Sequence, residues 1–245
     1  MDTCMRFTAK TIILIMSSLI FISCDPIEED AAHIQLGSAN SLYKLSNIQY
    51  QWPFVVQVTD IDGNPVSGSN VRVRVIPTEY KKGNYVLIDE NGYLPNDITD
   101  PEGTSQPAVR WAADVDIKCR AEDTNLNGIL DAGEDLNNSG ALEPSNPATL
   151  TSDPNYTPTL NPLTNKITTD DLGFGYFTIT YPESVASWAS VRVIASASVS
   201  GTESTQTLDV NLAATLSDLE EIDTSPPGGR FSSPYGTVAD CTDPN

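Results

Sequence analysis

Residues 54–75 read FVVQVTDIDGNPVSGSNVRVRV. Phe54, Val56 and Val58 alternate with Val55 and Gln57; Val71, Val73 and Val75 alternate with Arg72 and Arg74. Successive side chains of a strand point to opposite faces, so a period of two gives each segment one apolar face that must be covered. Between them, Asp62-Gly63-Asn64-Pro65 is rich in turn residues, which excludes a continuous strand or helix. The stretch therefore predicts two half-buried strands joined by a short connection.

The same pattern recurs outward. Tyr85 to Ile88 is a short apolar run closed by Asn91-Gly92. Phe177, Ile179 and Tyr181 alternate with threonines, Val191, Val193, Ala195, Ala197 and Val199 largely with serines, and Leu208, Val210 and Leu212 end the series. No window sustains the 3.6-residue period of a helix; the best helical segment, Ala213 to Glu221, is short. Short β-branched strands with one apolar face each predict an all-β chain, an antiparallel sandwich over residues 47–214. The chain has 245 residues, 39% hydrophobic and 19% charged, an ordinary globular composition.

From about 111 to 168 the alternation lapses in favour of Asp, Asn, Pro and Gly, and so long a connection needs a function or a staple. Within it lie DTNLNGILDAGE (123–134) and DLNNSGALEPSN (135–146), which superimpose in register. The first satisfies the spacing of an EF-hand calcium loop in full. A hard cation of that size takes six to eight oxygens, from positions 1, 3, 5, 7, 9 and 12. In the first loop these are Asp123, Asn125, Asn127, the carbonyl of Ile129, Asp131 and Glu134. In the second they are Asp135, Asn137, Ser139, the carbonyl of Ala141 and Glu143, with the neutral Asn146 in the twelfth place. Gly128 and Gly140 occupy the sharp turn. Asn-Gly turns in an acidic surface loop are the alternative, but turn chemistry does not require the other oxygens. Neither loop has flanking helices, and the pair resembles the calcium loops of dockerins and of aspartate-rich thrombospondin repeats.

Residues 1–23 read as a targeting segment: Arg6 and Lys10 precede an apolar run, Ile12 to Ile22, that is short for a membrane span. Its end, Phe21-Ile22-Ser23-Cys24, resembles the lipobox of bacterial lipoproteins, with Phe21 where leucine is usual. That resemblance makes Cys24 the acylated first residue, followed by an acidic tether over residues 24–46. Cys119 and Cys241 remain as an even pair in an oxidising compartment, so a disulfide is expected to pin the tail, residues 215–245. Two free thiols, or a metal site lacking further soft ligands, are the alternatives.

VQVTDIDGNPVSGSNVRVRVIP (56–77), AEDTNLNGILDAGEDLNNSGALEP (121–144) and TTDDLGFGYFTITYPESVASWASVRVIASASVSGTE (168–203) together look like the bacterial Ig-like domains of the invasin and intimin kind, in the subset with a calcium-loop insertion. The resemblance implies an Ig-like sandwich on a cell surface or in the periplasm, in protein interaction, adhesion or assembly at the bacterial cell envelope; the lipid anchor is expected in the outer membrane or at the cell surface rather than in the inner membrane. A calcium-dependent carbohydrate-binding module is the alternative, with Trp52, Trp111 and Trp188 as candidates to stack on sugars. Thirteen basic against 33 acidic residues, a net charge of −20, argue against a nucleic acid partner. No enzyme is expected, because the only histidine, His33, lies in the tether.

Overall fold

The two strands of the quoted stretch belong to different sheets. In this computed structural model, which describes residues 33–95, 106–199 and 202–245, they are β3 (Gln49–Thr59) and β4 (Asn70–Ile88). The expected targeting segment, Cys24 and the first part of the tether lie outside the described residues. Thr59 and Pro65 form a local bridge. Beyond it the chain leaves β3, and β4 begins the second sheet.

The first sheet also contains β1 (His33–Ser38), β2 (Tyr43–Ser46), β6 (Thr149–Thr151) and β8 (Phe174–Pro182), in the order β1-β3-β8-β6, with β2 beside the start of β3. The second contains β5 (Arg110–Arg120), β7 (Lys166–Thr168), β9 (Ala189–Val199) and β10 (Thr202–Asn211), in the order β10-β9-β4-β5, with β7 beside the start of β4. Every pairing is antiparallel. The inward faces follow the alternation: Phe54, Val56, Val58, Val71, Val73, Phe177, Ile179, Tyr181, Val191 and Val193 are buried in one core. Phe54 stacks on Phe177, with ring centroids 5.3 Å apart. Each such side chain contributes about 1.5–3 kcal/mol when fully removed from water. The protein is an all-β sandwich.

Three turns share one design. Asp60, Asp89 and Asp170 each accept two backbone N–H bonds through Oδ1, from the residues two and four places on. A glycine three places on, Gly63, Gly92 or Gly173, takes the positive φ that closes the turn. The aspartate side chain thus does locally what a ladder partner would do.

The structure revises two boundaries. The tether was expected to run to residue 46, yet residues 33–38 pair with β3 and bury Ile34, because Ile34 and Leu36 already alternate with polar neighbours. The insertion was expected from about 111, yet Trp111, Ala113, Val115, Ile117 and Cys119 carry the period of β5 across acidic interruptions at Asp114 and Asp116. The irregular segments are therefore 121–148 and 152–165.

β4 outruns the first sheet, and the C-terminal tail covers its far half. Helix α1 (Leu216–Glu220) is capped by the Thr215 hydroxyl, and Asp218 ties it to the first sheet through Tyr50 and Lys44. Burial alone would raise the Asp218 carboxyl, but hydrogen bonds from Tyr50 and Lys44 hold it below the ordinary range. Further on, Tyr85 N–H donates to the Phe231 carbonyl, Ser233 N–H to Gly83, and Gly83 N–H to Gly236, so residues 231–236 occupy the β4 edge beyond the end of β9. Tyr235 packs on Tyr80 and Phe231 on Trp111. Gly83 has φ 144°, and a Cβ there would meet the Asp114 carbonyl at 2.1 Å, so this bend admits no side chain. The fully buried Lys82 ammonium donates to the main-chain oxygens of Asp240, Asp243 and Asn245. Cys119 and Cys241 are joined by a disulfide across a separation of 122 residues.

Candidate functional site

The irregular segment after β5 folds as the twelve-residue repeat dictates. In the first loop, Asp123 accepts from the N–H of Asn127 at 3.1 Å and of Gly128 at 2.8 Å. Asn125 Oδ1 accepts from Asn127 N–H and Asn127 Oδ1 from Ile129 N–H, at 3.0 and 2.7 Å. In the second loop, Asp135 accepts from the N–H of Ser139 at 2.9 Å and of Gly140 at 3.0 Å, and Asn137 Oδ1 from Ser139 N–H at 3.0 Å. The backbone repeats too. Position 4 is left-handed in both loops, at Leu126 (φ 61°) and Asn138 (φ 59°), and so is position 6, at Gly128 (77°) and Gly140 (78°). A leucine in that region is uncommon, so the surrounding bonds must hold it there.

The remaining oxygens gather inside each turn. The amides of Asn125 and Asn127 both donate to Asp131 Oδ2, at 2.7 and 2.8 Å, so positions 3, 5 and 9 meet at one carboxylate. Glu134 folds back into the loop, where Oε1 accepts from the N–H and hydroxyl of Thr124 and Oε2 from Asp131 N–H. Those bonds hold its carboxyl below the ordinary range, the Thr124 hydroxyl foremost. In the second loop Asn137 donates to Glu143 at 2.5 Å, and the Ser139 hydroxyl donates to the Ala141 carbonyl at 3.1 Å. No three His, Cys, Asp or Glu side chains among the described residues form a ready ligand cluster; the convergence is of carboxylates with amides.

Glu122, which the repeat does not include, joins the two loops. It is fully buried, and its carboxylate accepts from Leu136 N–H at 3.1 Å and Glu143 N–H at 3.0 Å while its own N–H donates to the Glu143 carbonyl. Burial pushes the Glu122 and Glu143 carboxyls up from the ordinary range, and their proximity to each other and to Asp135 adds to the shift of Glu143. Tyr80, beneath them, is pushed up to about 12 by burial and then by Glu143 and Glu122. The second loop thus rests on the β4 segment that carries Lys82. The only sequence signal for Glu122 is its place beside Asp123, which does not separate it from the acidic run.

Asn146 does not sit as a simple counterpart of Glu134. It lines a cavity of about 320 Å³ with Asp123, Asn127 and Gly128 of the first loop and Val75 to Pro77 of β4. The three tryptophans are packing residues: Trp188 is buried against Tyr85, Trp111 against Phe231, and Trp52 packs on Phe54 with its N–H on the Ala39 carbonyl. Trp188 and Trp111 are buried, whereas Trp52 is half-buried and lines a surface cavity with Leu42 and Ala213 to Leu216.

No helix among the described residues is long and apolar enough to cross a membrane. No family model, no curated protein and no solved structure matches the chain.

Proposed function

We propose that this protein is a lipid-anchored, calcium-stabilised Ig-like sandwich that serves interaction, adhesion or assembly at the bacterial cell envelope. The observation that carries the calcium reading is the doubled turn: two successive twelve-residue segments adopt the same left-handed positions and the same aspartate-to-amide bonds. Acidic turns of no function have no reason to repeat in that register. The donor set is wholly of hard oxygens, which fits calcium and not a soft metal. Asp123, Asn125, Asn127, the Ile129 carbonyl, Asp131 and Glu134 would hold one ion; Asp135, Asn137, Ser139, the Ala141 carbonyl and Glu143 would hold a second. A bound ion supplies positive charge where acidic groups crowd and cross-links a segment that has little apolar core of its own.

The anchor reading rests on the lipobox-like Phe21-Ile22-Ser23-Cys24. Cys24→Ala should move the protein from the membrane fraction to the soluble fraction. Unchanged retention would remove the lipid anchor from the proposal. The interaction reading is tested by cross-linking in native envelope, with and without a calcium chelator, followed by capture of this chain. A partner recovered in calcium and lost in chelator supports it; recovery of the chain alone under both conditions counts against it.

A further inference from the structure

The chain's few cations are not spread among its many carboxylates. Lys166 on β7 is directly opposite Arg72 on β4, Arg74 follows two residues on, and Arg192 on β9 is opposite Ile76. Farther along β4, Lys118 and Arg120 of β5 are opposite Lys81 and Glu79. The alternate residues Val71, Val73, Ile167, Val191 and Cys119 are buried, so these six cations lie on the outer face of the second sheet. They lie along the β4 segment from Arg72 to Lys81, about 30 Å of strand. Arg192 is paired with Asp209, at 2.6 and 2.8 Å. The other five are exposed and, among the described residues, have no carboxylate at ion-pair distance. In a chain of 13 basic and 33 acidic residues, exposed cations without partners on one face need an explanation. Leaving them there forgoes neutralisation that the rest of the surface could supply.

We infer that this face is a docking strip for a linear acidic polysaccharide. The strip is narrow and the rest of the chain is strongly acidic, so a flat anionic membrane would bring its charge against carboxylates as well as cations. An extended chain can follow the strip, and screening over about 8 Å at physiological salt shields it from the acidic flanks. The arginine forks match carboxylate or sulfate geometry. Between the cations the face offers Ile76, Ile194, Ser196 and Thr207, with two carboxylates, Asp209 on Arg192 and Glu79 opposite Arg120, and no aromatic ring for the stacking on which single-stranded nucleic acid binding relies. None of the six cations belongs to a calcium loop, although Arg74 and Ile76 border the first loop at Leu126, so the inference is tested without calcium.

The test is binding of polygalacturonate to the purified protein by calorimetry, in chelator throughout, so that the calcium reading can fail without affecting it. Polygalacturonate should bind and neutral dextran should not, and the affinity should fall as salt rises from about 50 to 200 mM. Arg72→Glu with Arg74→Glu should weaken binding about tenfold or more, whereas Arg230→Glu, an exposed cation off the strip, should change it less than about twofold. An unchanged melting temperature would establish that the double variant is folded; Lys118→Glu with Arg120→Glu provides the same test from the other end. No binding, binding indifferent to both double variants, or equal binding of duplex DNA or anionic vesicles would overturn the assignment. Self-association in sedimentation that both double variants abolish would also overturn it, by placing a second copy on the strip.

Discussion

Replacing Cys241 with serine should lower stability by about 2–5 kcal/mol, the range for native disulfides in exported domains. The bond to Cys119 closes a separation of 122 residues. In the chain-entropy account a loop of that size is worth about 4–5 kcal/mol before any strain. For a domain of this size that is a fall of about 4–20 °C in melting temperature. The loss should concentrate where the tail replaces a missing strand. Hydrogen exchange should quicken at Gly83 and Tyr85, whose N–H groups donate to Gly236 and Phe231, and not at Val73, whose N–H donates to Asn165. An opened tail also takes away the main-chain oxygens around the Lys82 ammonium, and a buried charge stripped of its partners is costly. A variant that melts with the parent and keeps the protection of Gly83 and Tyr85 would mean that the tail is held by its packing alone.

The apolar faces were legible because period-two alternation is a local property: Phe54 to Val58, Val71 to Val75, Phe177 to Tyr181 and Val191 to Ala197 all point inward as read. Strand partnership is not local, and the quoted turn looks like a hairpin although β3 and β4 serve different sheets. β2 could not have been found from alternation, since all four of its residues are exposed and it is held by backbone pairing and by the Lys44 ammonium on Asp218 and Glu183. Lys82 misleads in the opposite way: a lysine on an apolar strand reads as an outward residue until the tail that surrounds it, about 160 residues away in sequence, is in place. The twelve-residue repeat was legible at Asp123 to Asn127 and Asp135 to Ser139 because short side chains bond their own backbone within a few residues. Glu122 was not, because its partners, Leu136 and Glu143, lie more than a loop away.

Calcium should stabilise the protein, and the two loops should differ in what they bind. At about 100 times its dissociation constant, an ion held only by the folded state adds roughly 2.7 kcal/mol per site. The first loop offers three carboxylates, Asp123, Asp131 and Glu134, and the second only Asp135 and Glu143; affinity rises with ligand charge and rigidity, so the first should fill at lower calcium. The weaker site should have a dissociation constant of about 10⁻⁴ to 10⁻³ M, the range of extracellular modules. Glu134→Gln removes the only carboxylate in a twelfth position and should abolish the tighter site. Asn146→Ala should leave both, because Asn146 lines the cavity by the first loop and its amide is neutral. Glu134 also accepts bonds from Thr124 and Asp131, so its replacement alone could loosen the loop. Melting each variant in chelator as well as in calcium separates the two effects: the calcium-dependent increment should vanish for Glu134→Gln and persist for Asn146→Ala. Chelation should quicken exchange at Asn127, Gly128, Ser139 and Gly140 while the amides of the sandwich core stay protected. Calorimetry without a binding isotherm at millimolar calcium, or equal losses from the two substitutions, would return both loops to ordinary acidic turns.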